Sequence, residues 1–434
     1  MEAHHLEQRV PSLYEGRIAH ERLKILIVGA GLGGLAAAHT LGQAGHQVIV
    51  FESSDSVSTI GAGIQICPNL SRLLIRWGLR SDLDKLLHKD KPTSWSFYRY
   101  ADGRQVGLDP LGHRIEYEHG VPWYVAHRAD LYAMLLSIAK PFMELRLEVS
   151  RCKPLQTGEV IRGDLIIGAD GIHSVVRNSV IGKRKIPLSV PTGDMAYRAL
   201  VRTDTFMEDP DLRDLLENPR VSCWMGPLKH VIGYSVRGKR EYNMVMIGPD
   251  DDSTYSWTAK GEIKDLRQCF AGWEPRVQKL IDRIDPDSIL KTKLLICAPL
   301  STWTHGKGHV TLIGDACHPM LPYRAQGAAM AIEDAAVLGN LFSRLQSRSE
   351  IPGLLNAYQD IRYRRATSIQ EGSLDNRRLF HMPDGPEQLA RDAAMLSVME
   401  QMVQRTNLAQ KDTSPWSNKS KNAEHFGYDA GPCH

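Results

Sequence analysis

Gly29, Gly31 and Gly34 stand in a G-x-G-x-x-G spacing, directly after the apolar run LKILIV (residues 23–28) and directly before the helix-forming run at 35–41. Missing side chains at that spacing let backbone N–H groups and a helix start close on a pyrophosphate, whose negative charge the helix N-terminus favours. Glu52 follows Gly34 by 52 − 34 = 18 residues, where a carboxylate accepts hydrogen bonds from a ribose diol. An acid at that place suits an unphosphorylated adenosine ribose, so FAD or NAD is favoured over NADP. A tight turn with no ligand is the alternative.

The surrounding pattern supplies the elements that such a site needs. Residues 23–28 read as a buried strand, the glycine turn opens a helix that Gly42 and Gly45 stop, and HQVIVF (46–51) reads as the next strand, one βαβ unit in all. Two further strand-to-glycine transitions occur, 164–167 into Gly168-Ala169-Asp170-Gly171 and 310–313 into Gly314-Asp315. Between about 186 and 299 the texture changes to short alternating stretches such as 231–236 and 242–247, as in an antiparallel sheet. Residues 326–345 and 354–369 have helical spacing.

The segment GDACHPMLPYRAQGAAMAIEDA (314–335) resembles the second flavin fingerprint of class A, single-component FAD-dependent aromatic monooxygenases, and GDLIIGADGIHSVVR (163–177) resembles their middle motif. With the glycine-rich opening, three motifs stand in family order, and the resemblance spans nearly the whole chain from Lys24, closest in character to salicylate-hydroxylase-like members. It implies an α/β fold: a doubly wound, Rossmann-like FAD-binding domain over 23–185 and 295–345, an inserted antiparallel-β substrate domain over 186–294, and C-terminal helices and tail over 346–434. Residues 1–22 read as a flexible polar leader. One departure lies between 140 and 163, which is shorter than the β-hairpin that relatives place there.

The resemblance also implies roles. Asp315 would accept a hydrogen bond from the ribityl chain of FAD, with a helix cap as the plainer alternative. The backbone of Gly327, Ala328 and Ala329 would aim N–H groups at the flavin N1 and C2 carbonyl, where a helix N-terminus stabilises anionic reduced flavin. Arg128 would donate to the pyrophosphate or a flavin carbonyl, against an ion pair with Asp130. The stretch Gly61 to Ile64, Gly63 within it, would lie along the isoalloxazine ring, small enough to let the ring move. Asp170 belongs to a motif tied to both FAD and NAD(P)H, or holds a turn against Arg177 or a backbone amide.

On the substrate side the resemblance places Arg198 where an arginine holds a phenolate, and Tyr234 where a tyrosine on a later strand assists. A ring attacks electrophilic oxygen on flavin C4a faster as phenolate, and a cation nearby lowers the phenol pKa. Cross-strand packing for Tyr234 and a surface ion pair for Arg198 are the alternatives.

The rest of the sequence narrows the field. Hydrophobic residues make up 42% and charged residues 24%, and the net charge is +3, so neither a disordered chain nor a nucleic-acid footprint is indicated. The glycine-interrupted apolar stretch at 25–38 is too short to span a bilayer. Seven cysteines without a CxxC pair suggest no zinc cage and no disulfide framework, and no metal is expected; a reducing, cytoplasmic setting fits. HExxH and GxSxG are absent. His305 and His318 read as isolated structural histidines, Cys317 as a small buried filler, and Arg362-Tyr-Arg-Arg365 as the solvated face of a helix. The expected activity is hydroxylation of a small electron-rich aromatic or polyketide-derived ring by FAD, with NADH or NADPH as transient reductant and O2 as oxidant. A flavin oxidase, a halogenase (disfavoured, since WxWxIP is absent) and a flavin-binding module without turnover are the competing readings.

Overall fold

The structure is a computed structural model that describes residues 12–54, 62–87, 91–149, 160–182, 189–251, 259–404 and 424–431. Gly61, the middle of the shortened stretch (150–159), the start of the leader (1–11) and tail residues 405–423 and 432–434 lie outside the described residues.

The apolar runs assemble a five-stranded parallel sheet in the order β15 (Val310–Leu312), β8 (Leu165–Gly168), β1 (Lys24–Val28), β2 (Gln47–Phe51) and β7 (Met143–Arg146). Its side chains form one core with α1 (Leu32–Gln43), α5 (Arg128–Ala139), α10 (Gly327–Phe342) and α11 (Ile351–Phe380). This is why the strands read as continuous apolar runs rather than alternating ones. Small residues bring α1 against α10: a Cβ on Gly33 would lie 3.1 Å from that of Ala331, and Thr40 Oγ1 donates to the Ala335 carbonyl at 2.8 Å. The described part of the leader is docked rather than flexible. Leu13 and Ala19 are buried, and the Arg17 guanidinium donates to Ser343 and Asn340 at 3.0 Å each.

An eight-stranded sheet forms the second layer, in the order β13 (Ala259–Lys260), β14 (Leu290–Cys297), β9 (Ser189–Arg202), β12 (Glu241–Pro249), β11 (Lys229–Val236), β10 (Val221–Gly226), β4 (Ser94–Arg99) and β5 (Gln105–Pro110). All its pairings are antiparallel except β10 with β4. That parallel pairing draws residues 94–110 out of the chain's first segment into this sheet, beyond the expected 186–294. Alternation gives the sheet two faces. Tyr197, Ala199, Met244 and Met246 pack outward under α7 (Pro210–Glu217), α8 (Ile263–Cys269) and α9 (Pro275–Asp282). Ala196, Ile232, Tyr234 and Ile247 pack inward, with Cys67, Leu321 and Tyr323.

Between the layers runs a two-stranded ribbon, β3 (Gly63–Ile66) against β6 (Tyr124–His127), flanked by α2 (Pro68–Leu74), α3 (Arg80–Leu87) and α4 (Gly112–His119). α6 (Val176–Ile181) follows β8, and α12 (Pro386–Gln404) lays Met395 against Gly107 of β5. The basic run on α11 corrects the sequence reading: Arg362 has 0% of its surface exposed. Its guanidinium donates to Glu333 and Asp334 of α10, acids that a low-dielectric interior tolerates only when paired.

Candidate active site

The glycine turn is built by close approach. Gly29 has φ +105°, a conformation L side chains rarely adopt, and a Cβ there would sit 2.4 Å from the Ala169 carbonyl oxygen. A Cβ on Gly34 would sit 2.0 Å from the Gly29 oxygen. Gly31 differs, because a Cβ on it meets no protein atom within 4 Å, which leaves the approach to the start of α1 open. Glu52, at the end of β2, accepts from the Ala30 amide through Oε2 at 2.9 Å. Its Oε1 accepts from the Ser53 and Ser54 amides at 2.8 and 3.0 Å. Partial burial acts to raise its carboxyl, but these bonds together hold it below the ordinary value. The acid expected at a ribose diol is thus also an organiser of its own turn.

The β3–β6 ribbon pairs Gly63 with His127 and so sets Gly63 beside Arg128, whose amide donates to the Ala62 carbonyl at 3.0 Å. Arg128 is exposed as a residue, yet surrounding protein desolvates its guanidinium and lowers its pKa, with Asp315 and Tyr132 opposing. Asp315 shows the same pairing of properties. The residue is exposed, while desolvation raises its carboxyl and His318, Arg128 and Arg177 pull it down. Both residues are thus exposed and yet closely surrounded by protein. Neither group makes a side-chain hydrogen bond or ion pair among the described residues. The expected alternative partner of Arg128, Asp130, instead faces Arg237 at 3.4 Å. α10 begins at Gly327, so the amides of Gly327, Ala328 and Ala329 have no partner within their own helix.

Arg198 and Tyr234 come from the inner face of the eight-stranded sheet. Arg198 pairs with Val245 and Tyr234 with Asn243 in register, which puts all four on one face. Arg198 makes no surface ion pair among the described residues and donates to Thr292 Oγ1 at 3.2 Å. Burial, then Arg128, lowers its pKa, while Tyr234 raises it; burial pushes Tyr234 up, against Arg198. A Cβ on Gly63 would lie 2.6 Å from Tyr234 Cε2 and 2.7 Å from both its hydroxyl oxygen and Asn243 Cγ. The space a side chain at 63 would need is therefore taken by the sheet above it.

Apart from the turn that Asp170 was expected to hold, sequence reasoning missed the supports. Asp334 Oδ2 accepts from the Gly314 amide at 2.9 Å and from His318 Nε2 at 2.7 Å, so α10 holds the Asp315 turn two helical turns past the amides it offers. Arg177 clamps the same turn, donating to the carbonyls of Asp315 at 2.9 Å, Ala316 at 2.6 Å and Ile172 at 2.9 Å. Asp170 caps the start of α6, accepting from Ser174 Oγ at 2.5 Å and from the Val175 and Val176 amides at 2.6 and 3.2 Å. Asn69 bridges Gln326 and Glu333 at 2.9 and 2.8 Å. Besides Asp170, Asn243, a polar residue at an apolar inward position of the 242–247 alternation, carried a readable signal. Cys317, His318 and Asp334 offer metal-type ligand atoms within 4.8 Å of one another. The Asp334 oxygens are already engaged, however, and burial holds the Cys317 thiol well up, so the trio reads as part of the ion network.

The open helix-start amides, the Arg128 guanidinium and the Asp315 carboxylate, with Arg128 in electrostatic reach of both Asp315 and Arg198 of the sheet, are donors and acceptors that fit a dinucleotide with a flavin ring. With the glycine turn between strand and helix, they point to a dinucleotide-binding protein. Residues 149–373 match the family described as FAD binding domain, and residues 27–69 match the NAD(P)-binding Rossmann-like domain. The chain is 35% identical over 426 residues to FAD-dependent monooxygenase OpS4 of Beauveria bassiana (strain ARSEF 2860), covering 94% of this chain and 96% of that protein. It is 33% identical over 390 residues to 3-amino-4-hydroxybenzoate 2-monooxygenase PtmB3 of Streptomyces platensis, covering 87% and 93%. A solved salicylate hydroxylase substrate complex superposes with a TM-score of 0.69 at 25% identity, covering 89% and 96%. The chain belongs to the family of FAD-dependent monooxygenases. Its cofactor is FAD, and among the described residues no helix is long and apolar enough to cross a membrane.

Proposed function

We propose that this monooxygenase hydroxylates a small electron-rich aromatic ring (phenolic, salicylate-like or polyketide-derived) bound between the inner face of the eight-stranded sheet and the flavin. The observation that carries the reading is the placing of Arg198 and Tyr234 on one inward face against Gly63, within electrostatic reach of Arg128. The two compared proteins whose names state a ring substrate point the same way, since hydroxybenzoate and salicylate each carry a ring hydroxyl. When bound, FAD accepts a hydride from NADH or NADPH and activates O2. Gly29, Gly31, Gly34, Glu52, Arg128 and Asp315 hold it, Gly63 borders the ring, and the amides of Gly327 and Ala328 face its anionic end. Asp170 keeps the middle motif folded. Arg198 stabilises the phenolate of the substrate, and the buried Tyr234 hydroxyl, protonated at neutral pH, is placed to pass a proton to or from it.

Arg198→Ala tests this. With salicylate and other phenols as probes, flavin reduction without substrate should stay near wild type, while kcat/KM for substrate-dependent NAD(P)H oxidation falls about 100-fold or more, the scale of acid–base and charge assistance. Incorporation of ¹⁸O from ¹⁸O2 into product separates the oxygenase from an oxidase. Wild-type turnover and coupling in the variant would remove Arg198 from the site.

A further inference from the structure

Asn243 has 0% of its surface exposed and lies on β12 directly opposite Tyr234. Its Oδ1 accepts from the Gly63 amide at 2.5 Å. A backbone N–H is met only by the carboxamide oxygen, so the orientation of the amide follows and commits its NH2 group elsewhere. That Nδ2 has no hydrogen-bond partner among the described residues. Side-chain carboxamides buried this deeply normally have their donors satisfied, and one left open costs free energy until a ligand or water meets it. The neighbours of this one are the Tyr234 hydroxyl, which with Asn243 Cγ crowds the same point above Gly63, and Arg198 further along the same face.

We infer that Asn243 is a specificity-determining residue: its carbonyl fixes the β3 strand that borders the flavin, and its NH2 group donates to a ring oxygen of the bound substrate. This rests on the reading that the aromatic substrate occupies the cleft beneath Arg198 and Tyr234. The residue thereby ties the position of the flavin-bordering strand to the presence of a hydroxylated ring, something neither Arg198 nor Tyr234 does alone.

The test uses the FAD-loaded full chain. Asn243→Asp keeps an oxygen for the Gly63 amide and removes the donor, and Asn243→Leu keeps the shape and removes both. Dissociation constants for salicylate and benzoate, and for 6-hydroxynicotinate and nicotinate, are read from perturbation of the flavin spectrum. Wild type should prefer the hydroxylated member of each pair. In Asn243→Asp that preference should shrink about tenfold, the size of one lost hydrogen bond to a ligand oxygen, with FAD affinity within about twofold of wild type. Asn243→Leu should lose the same preference and also bind FAD more weakly. If both variants keep the wild-type preference while Arg198→Ala weakens ring binding, the role given to Asn243 is wrong and the aromatic reading stands. If none of the rings perturbs the wild-type flavin, the substrate reading falls and this inference with it.

Discussion

Gly31 and Gly34 belong to one motif, yet the structure assigns them different work, and two alanine substitutions separate it. At Gly34 the added Cβ lies 2.0 Å from the Gly29 carbonyl oxygen and 3.1 Å from its carbon. No rotamer change relieves a clash with backbone, so overpacking of about 1–3 kcal/mol applies at its upper end. The helix-propensity gain of alanine over glycine, about 1 kcal/mol, offsets part of it. Apo Gly34→Ala is therefore expected to lose about 2 kcal/mol of stability, by the difference of those two estimates. At Gly31 the backbone is extended, with φ −68° and ψ −177°, and the Cβ meets no protein atom within 4 Å. Apo Gly31→Ala should therefore stay within about 0.5 kcal/mol of wild type. The new methyl enters the volume through which a pyrophosphate reaches the α1 amides. One displaced charge-assisted hydrogen bond, worth about 1.5–3 kcal/mol, weakens FAD binding by about 10- to 150-fold. Denaturant titration of the apoprotein gives the first quantity, and quenching of FAD fluorescence on reconstitution gives the second. Gly31→Ala reconstituting with wild-type affinity would falsify the placement of the pyrophosphate over this turn.

Two further outcomes follow from buried charge. Arg362→Met leaves Asp334 without its guanidinium partner in a site with no exposure, and should cost about 3–5 kcal/mol; chemical unfolding measures it, and a loss under about 1 kcal/mol would mean that the network relaxes around the gap. The second concerns pH. Burial lowers the His39 pKa from 6.5 to about 4, against the Ile138 carbonyl that its Nδ1 meets at 3.0 Å. Between those values the unfolded chain takes up a proton that the folded chain refuses, so stability falls on acidification from pH 6.5 toward 4, by about 3 kcal/mol for this residue. His39→Gln should flatten the stability–pH slope over that window by up to one proton, and an unchanged slope would show that His39 is not the group responsible.

Much of the fold was legible because its rules are local. Apolar run, glycine turn and helix repeat within a few dozen residues, and the eight-stranded sheet announced itself by alternation. What escaped was set by distance in the chain. Gly42 reads as a helix stop, yet it lies inside α1, because a Cβ there would come 2.3 Å from the Cβ of Phe142, which packs from a segment about a hundred residues on. Residues 94–110 join the roof sheet through a pairing with β10 that no nearby turn signals. Arg362 looked like solvated helix surface because its charge is visible in sequence, whereas the two acids that bury it stand on another helix.

The same asymmetry runs through the site. The residues proposed to meet a ligand, the three glycines, Glu52 and Asp315, follow from spacing, since each sits where a turn must be. Residues that hold those turns in place do not, since Arg177, Asp334 and Asn69 act on carbonyls and amides supplied by other segments. This difference also explains why the Asp315 turn is held twice. A carboxylate that makes no hydrogen bond among the described residues gives the backbone beneath it no anchor, so the restraint on that backbone comes from outside. Asp334 supplies it from α10 through the Gly314 amide, and Arg177 supplies it from α6 through the carbonyls of Asp315 and Ala316. These contacts hold the turn and leave the Asp315 carboxylate oxygens without a hydrogen bond among the described residues, as the proposed role toward the cofactor requires.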